Sequence, residues 1–198
     1  MSGPLPGPDG GLRCPWAVGS PDYLTYHDEE WGRPVRDDRG LYERLSLEAF
    51  QSGLAWITIL RKREGFRVAF AGFDPVLVAA FDDRDRARLM ADSGIVRNRA
   101  KIDATIANAA AIVALGPGRL TELIWSAAPS SSPPAPQTTA DLPAATPESK
   151  ALSRMLKRHG FRFVGPTTAY ALMQACGLVD DHLAGCRSRG SGRGEAGA

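Results

Sequence analysis

Residues 41–60 have the sequence LYERLSLEAFQSGLAWITIL, and the fold is organised around them. Apolar residues recur in the first half at the spacing of one helix face, and Glu48 lies on or beside this face, where a carboxylate is not expected. Gly53 is well placed to end the helix in a left-handed conformation. The chain would then turn a corner and begin a second apolar helix at Trp56. The segment predicts a pocket lined by a carboxylate and an indole.

A purely structural role is the alternative for this segment. A Glu flanked by Leu usually lies at a helix boundary or pairs with an Arg, and a Trp among aliphatic residues usually belongs to the core. The segment alone does not decide between the two interpretations.

Length, composition and charge limit the possibilities. With 198 residues and 43% hydrophobic residues, the chain can fill one core, so we expect a single domain. The net charge is +2, and the basic residues cluster locally, which permits nucleic-acid binding without requiring it. Three cysteines without the dense spacing of a secreted scaffold favour a reducing cytoplasm. No apolar run has the roughly 18 residues of a membrane span.

The chain divides into a folded domain and less regular segments. Residues 1–11, rich in Gly and Pro, predict a disordered extension, and residues 187–198, rich in Gly, Ser and Arg, predict a disordered tail. Residues 12–186 form the predicted domain, with a mobile Pro-rich loop at 126–147. Every regular element is predicted to be a helix, at about 41–52, 56–64, 75–81, 84–91, 98–114, 149–158 and 165–176.

A tight turn containing Gly94 joins two of these helices in a helix-hairpin-helix pattern. In such hairpins the backbone N–H groups at the start of the second helix can approach a phosphate, and nearby cations neutralise its charge. The cations here are Arg97, Arg99 and Lys101. Helix turns with one Gly are common, so an ordinary connector is the alternative.

A possible metal site lies near the two ends of the domain. His182 and Cys186 are four positions apart, which is one common half of a tetrahedral zinc site. Cys14 and His27 could supply the other half. Four protein ligands leave no open position, so the zinc would be structural and would fasten the termini together. Unrelated surface His and buried Cys residues are the alternative.

Five ordered blocks carry a resemblance to a known family. The blocks are CPW (14–16), YLTYHDEEWG (23–32), LEAFQSGLAWITILRKRE (47–64), SGIVRNRAKI (93–102), and FRFVG (161–165) with MQACGLVDDHLAGC (173–186). Together they closely resemble the bacterial DNA-3-methyladenine glycosylase I family. The resemblance implies an all-α helix-hairpin-helix glycosylase fold, with a zinc ion that joins the N- and C-terminal segments through Cys14, His27, His182 and Cys186.

The resemblance also implies roles for the residues of the pocket. A flipped-out alkylated base would stack on Trp56 and be hydrogen-bonded by Glu48, with Tyr26 beside it. Tyr23 and Trp16 would be further pocket walls, and Leu54 would fill the gap left in the base stack. Methylation at N3 makes adenine cationic, so aromatic faces and a carboxylate favour the damaged base over the neutral one.

The resemblance therefore implies a base-excision repair enzyme that hydrolyses the N-glycosidic bond of 3-methyladenine. Between residues 105 and 140 there is no Asp, which agrees with a cationic leaving group that needs little acid–base help. The same stretch has no suitably placed Lys for a Schiff base, so we expect no lyase activity. The expected partner is double-stranded alkylated DNA. We expect the protein to be a cytoplasmic monomer that does not associate with a membrane. Ala49 and Phe50 depart from the residues usual in the family after the Glu, and are expected to narrow the pocket floor.

Two other functions remain open. The chain could be a non-catalytic helix-hairpin-helix DNA-binding protein, with Glu48 and Trp56 in the core. It could also be a glycosylase for another lesion, such as 3-methylguanine.

Overall fold

A computed structural model describes residues 2–191, and the regular structure within them is mostly helical. The helices are α1 (Pro21–Glu29), α2 (Asp38–Gln51), α3 (Trp56–Ala69), α4 (Pro75–Ala79), α5 (Asp83–Ala91), α6 (Arg99–Leu115), α7 (Arg119–Trp125), α8 (Pro147–Arg158) and α9 (Pro166–Ala175). Short 3-10 turns occupy Pro15–Gly19, Ala71–Phe73 and Thr139–Asp141. None of the described helices has the length and apolarity needed to cross a membrane.

Helix α2 lies at the centre of the fold and packs against α3, α6, α7 and α9. Its inward residues Leu41, Leu45 and Phe50 are fully buried, and Phe50 packs against Phe66 and Phe70 from α3 and its C-terminus. The corner after α2 has the predicted geometry, because Gly53 has a φ of 82°. This backbone conformation favours Gly, so the turn and the start of α3 are encoded locally.

Two helices are present that the sequence pattern did not predict. Helix α1 is capped by Ser20, whose side chain accepts a hydrogen bond from the Tyr23 N–H. Pro21 follows in the first turn. Helix α7 has only seven residues, and its start is fixed from a distance: Asp38 accepts hydrogen bonds from the Gly118 and Thr121 N–H groups. Such a distant cap leaves no local signal.

The N-terminal segment was predicted to be disordered, and the structure differs. Leu5–Pro6 (β1) pairs antiparallel with Leu12–Arg13 (β2). The guanidinium of Arg13, 3% exposed, holds this hairpin in place by bonding Asp9 and Asp28. A buried cation with two carboxylate partners supplies an anchor that Gly and Pro content does not reveal.

The two other segments predicted to be mobile are also partly anchored. In the Pro-rich loop, the Ala184 N–H donates to the Pro136 carbonyl at 2.7 Å, and Thr138 forms a capping box with Asp141. In the tail, the Arg187 N–H donates to the Leu12 carbonyl at 2.9 Å. The predicted tail beyond residue 191 lies outside the described residues.

Candidate functional site

A cavity of about 330 Å³ opens where α1, α2, α3 and α9 meet. Its lining combines aromatic rings with few polar groups. The lining residues are Trp16, Tyr23, Tyr26, Trp31, Glu48, Gln51, Trp56, Leu142, Ala171 and Gln174. All five pocket residues expected from the sequence lie here: Glu48, Tyr26, Trp56, Tyr23 and Trp16.

Glu48 is the carboxylate of this cavity, and it is only 7% exposed. Arg44 lies one turn earlier on α2, but its guanidinium donates to Glu30 at 2.7 Å. No hydrogen bond or ion pair to the Glu48 side chain occurs within residues 2–191. Burial raises the pKa of Glu48 from 4.5 to about 7, and the positive charge of Arg44 opposes this shift. The structure therefore does not support the alternative in which an Arg pairs directly with Glu48.

Aromatic rings form the walls around this carboxylate. The rings of Tyr26 and Trp56 are 5.3 Å apart between centroids, and Trp16 lies 6.2 Å from Tyr26 and 5.7 Å from Tyr23. Burial raises the pKa of Tyr26, so its hydroxyl stays protonated at neutral pH. The cavity can thus enclose a flat, positively charged ring between π faces and a carboxylate.

The corner between α2 and α3 is held by contacts from elsewhere in the chain. The Tyr23 hydroxyl accepts a hydrogen bond from the Ile57 N–H at 3.0 Å and so satisfies one free donor in the first turn of α3. Leu54 lies on the corner itself and is 39% exposed. This exposed apolar side chain is not part of the cavity lining.

Five lining residues were not predicted as site residues: Trp31, Gln51, Leu142, Ala171 and Gln174. Two of them had a detectable signal. Trp31 belongs to the aromatic-rich segment after Cys14, and Gln51 follows Glu48 by three positions on one helix face. The others reach the cavity only through the tertiary fold.

Ala49 and Phe50, which depart from the family pattern, do not contact the cavity directly. Phe50 points away from the cavity into the aromatic core, and neither residue is part of the lining. Position 50 is therefore a packing position in this chain.

The turn between α5 and α6 has the predicted helices on both sides, but Gly94 in the turn and Lys101 in the first turn of α6 have other partners than expected. The Gly94 N–H donates to the Asp92 side chain at 2.7 Å. Lys101 is 7% exposed, and its ammonium donates to the carbonyls of Phe50 and Ser52 at 2.9 and 2.6 Å. The role predicted for Lys101 at a phosphate does not match this geometry, because the ammonium caps the C-terminus of α2. Arg97 and Arg99 are exposed.

A metal-binding geometry is present where the two ends of the domain meet. Cys14, His27 and Cys186 place their ligand atoms within 4.8 Å of one another. The ring of His182 lies 5.0 Å from that of His27, and its Nε2 is buried without a hydrogen-bond partner in the described residues. Asp28 and Asp180 engage the Nδ1 atoms of His27 and His182, so each Nε2 is the nitrogen available to a metal. The Nε2 of His27 lies 3.4 Å from the Sγ of Cys186.

Both the sequence and the fold are similar to those of known proteins. The family described as methyladenine glycosylase matches residues 16–189. DNA-3-methyladenine glycosylase 1 of Escherichia coli (strain K12) is 46% identical over 178 residues, which cover 88% of this chain and 95% of that protein. The DNA-3-methyladenine glycosylase of Haemophilus influenzae is 45% identical over 179 residues, with 88% and 96% coverage.

Solved structures give a similar result. A crystal structure of a 3-methyladenine DNA glycosylase I superimposes with a TM-score of 0.85 at 44% identity, covering 89% of this chain and 99% of the other. A structure of the Staphylococcus aureus 3-methyladenine DNA glycosylase I, which concerns how that protein recognises 3-methyladenine, gives a TM-score of 0.84 at 34% identity. It covers 89% of this chain and 96% of the other.

Proposed function

The chain belongs to the methyladenine glycosylase family, and from this premise we propose that it excises 3-methyladenine from alkylated double-stranded DNA during base-excision repair. The observation that carries the proposal is the unpaired, buried carboxylate of Glu48 in an aromatic cavity. A buried carboxylate without a partner destabilises the folded protein. A cationic ligand in the cavity would supply the missing partner and would therefore bind favourably.

Recognition uses the positive charge that N3-methylation places on adenine. The flipped base enters the cavity and stacks against Trp56, with the Tyr26 ring beside it, while Glu48 accepts a hydrogen bond from the base. Tyr23 and Trp16 complete the aromatic walls. A neutral base gains less from the same groups, so the cavity selects the damaged base.

The chemistry demands little acid catalysis because the leaving group is already cationic. When the bond between C1′ and N9 breaks, its electron pair moves onto the base, which leaves as neutral 3-methyladenine. Water forms the new bond to C1′ and loses a proton to solvent, which leaves an abasic site. Within residues 2–191 no lysine lines the cavity, which supports hydrolysis without a Schiff base and without lyase activity.

The DNA-binding surface is proposed to include the corner and the turn that follows α5. Leu54 is the candidate for filling the gap that the flipped base leaves, since it is apolar, 39% exposed and adjacent to the cavity. Helices α5 and α6 form the proposed helix-hairpin-helix unit, in which Arg97 and Arg99 face solvent near the start of α6 and neutralise phosphates. The turn at Gly94 lies close to α3 because Gly65 has no side chain: a Cβ at position 65 would lie 2.5 Å from the Gly94 carbonyl oxygen.

A structural zinc ion is proposed at Cys14, His27, His182 and Cys186. The donor set of two thiols and two imidazoles suits tetrahedral Zn²⁺, and the buried, unpaired Nε2 of His182 supports a fourth ligand. The ion would fasten the segment before α1 to the segment after α9. The absence of a disulfide among the three cysteines and a DNA substrate also support a cytoplasmic location, and action as a monomer stays a prediction.

The proposed function is tested by chromatographic detection of free bases released from randomly methylated duplex DNA. Wild type should release 3-methyladenine, and Glu48→Ala should be strongly impaired, while the exposed-site variant Glu29→Ala should behave like wild type. If zinc-loaded wild type binds DNA in a salt-sensitive manner but releases no base, the protein is a DNA-binding module instead. If a different base is released, the assigned lesion is wrong.

A further inference from the structure

Gln174 of α9 lies in the wall of the cavity that contains Glu48 and Trp56. Its side-chain Nε2 donates a hydrogen bond to the Oδ2 of Asp181 at 2.8 Å. An ionised carboxylate can only accept hydrogen bonds, so this contact fixes which end of the Gln174 amide faces Asp181. The carbonyl Oε1 is the end that remains for the cavity.

Asp181 is itself held in place. It is 5% exposed, and the hydroxyl of Tyr170 donates to the same Oδ2 atom at 2.5 Å. Tyr170 and Gln174 are one turn apart on α9, so both bonds tie Asp181 to one helix face. Reversal of the Gln174 amide would place Oε1 against the carboxylate oxygen, which is unfavourable because neither atom carries a proton.

The Oε1 atom is available to a ligand. Within residues 2–191, no hydrogen bond is made to it. The described residues contain a few polar side-chain atoms that are fully buried and have no partner, and this atom is not one of them. Its surface is therefore at least partly accessible. Because Gln174 lines the cavity and its Nε2 faces Asp181, we infer that Oε1 faces the cavity.

We propose that Gln174, oriented by Asp181, is a specificity-determining residue that distinguishes methylated adenine from methylated guanine. This inference rests on the proposed function. Adenine carries an amino group at C6 with two N–H donors, whereas guanine carries an oxygen acceptor there. Glu48 and the Oε1 of Gln174 supply two acceptors in one cavity, so the amino group of 3-methyladenine satisfies both. The O6 of 3-methylguanine would meet acceptors only, which disfavours it.

The experiment compares wild type, Gln174→Met and Tyr170→Phe on randomly methylated duplex DNA. The readout is the ratio of 3-methyladenine to 3-methylguanine released, from single-turnover rates. Gln174→Met keeps the length of the side chain but removes the acceptor, and should lower the ratio about tenfold. Tyr170→Phe removes the other bond to Asp181 and keeps the Gln174 contact, so it should lower the melting temperature while the ratio stays at the wild-type value.

The outcomes separate the inference from the proposed function. If wild type releases no methylated base, the proposed function fails and the inference fails with it. If wild type is active and Gln174→Met keeps the wild-type ratio, the inference is overturned while the function stands. If Tyr170→Phe lowers the ratio as much as Gln174→Met does, the ratio reports a loosened α9, and the role of the amide is overturned.

Discussion

At the scale of single residues, Glu48 and Arg44 show how the chain keeps a carboxylate available for a ligand. Both lie on one face of α2, one turn apart, but Glu30 binds Arg44, and also Arg63 at 2.6 Å. The positive charge nearest to Glu48 is therefore already paired. Glu48 has a raised pKa and no direct partner, so its ionised form destabilises the free protein. The same carboxylate stabilises a complex with a cationic ligand.

The effect of Glu48 on the free energy of unfolding depends on pH. The pKa of Glu48 is raised from 4.5 to about 7 by burial, so the carboxylate is harder to ionise in the folded state than in the unfolded state. The penalty is absent below about pH 4.5, grows as pH rises from there to about 7, and is constant above that value. Glu48→Gln should therefore gain stability over wild type between pH 5 and 8, by up to about 3 kcal/mol. Urea unfolding at several pH values measures this difference.

The matched control is Glu29→Gln, at an exposed position on α1. Its unfolding free energy should follow that of wild type across the same pH range. A stability difference between Glu48→Gln and wild type that does not change with pH would show that Glu48 titrates normally in the folded protein.

At the scale of elements, the corner between α2 and α3 combines local and distant determinants. The sequence predicted the end of α2 correctly, because Gly53 is a local signal for a left-handed turn. It did not predict the second stabilising contact, in which Lys101 reaches from α6 to the carbonyls of Phe50 and Ser52. From the sequence, Lys101 was grouped with exposed basic residues, because a lone Lys gives no sign of burial.

Removal of this contact should weaken the corner. Lys101→Met keeps most of the apolar stem but leaves the carbonyls of Phe50 and Ser52 without their donor, which should cost about 1–3 kcal/mol of unfolding free energy. Base release should also fall, because Glu48 and Leu54 flank this corner. Denaturant unfolding and single-turnover base release provide the two measurements.

Arg99→Met is the control on the same helix. Its guanidinium is largely exposed and bonds only Asp103 within the described residues, so its loss should change stability by less than about 1 kcal/mol. Equal stabilities for the Lys101 and Arg99 variants would contradict the capping role of Lys101.

At the scale of the whole molecule, the sequence predicts features that depend on residues close together in the chain. Features that depend on contacts between distant residues are missed. Most of the helices were predicted, since periodicity and caps indicate them. The aromatic and acidic lining residues except Trp31 were also predicted, from the resemblance to the family. Gln174 and Leu142 were not predicted as lining residues, because only the packing of α9 and the Pro-rich loop brings them to the cavity. The N-terminal hairpin was missed because the Arg13 pairing that holds it spans 15 residues.

The junction of the termini also belongs to this scale and gives a prediction about metal. The proposed zinc site joins residues 14 and 27 to residues 182 and 186, so its loss should free both ends. Cys14→Ser should lose the metal and melt at a markedly lower temperature, because structural zinc contributes directly to folding. Elemental analysis and thermal melting check the prediction.

Cys176→Ala is the matched control, since Cys176 is fully buried in the main core and away from the metal-binding cluster. It should retain about one zinc ion per chain and lose only packing energy. Wild type purified without any metal, but with full thermal stability, would contradict a structural zinc.

The most direct test of the central claim is the pH profile of kcat/KM for 3-methyladenine release, between pH 5.5 and 8.5, for wild type and Glu48→Gln. Spontaneous release is subtracted at each pH. Because the substrate cation has a fixed charge, wild type should lose activity as pH falls through about 7, where Glu48 becomes protonated. Glu48→Gln should be slow at every pH and show no such step. Equal activities with the same profile in both proteins would contradict a role for the buried carboxylate.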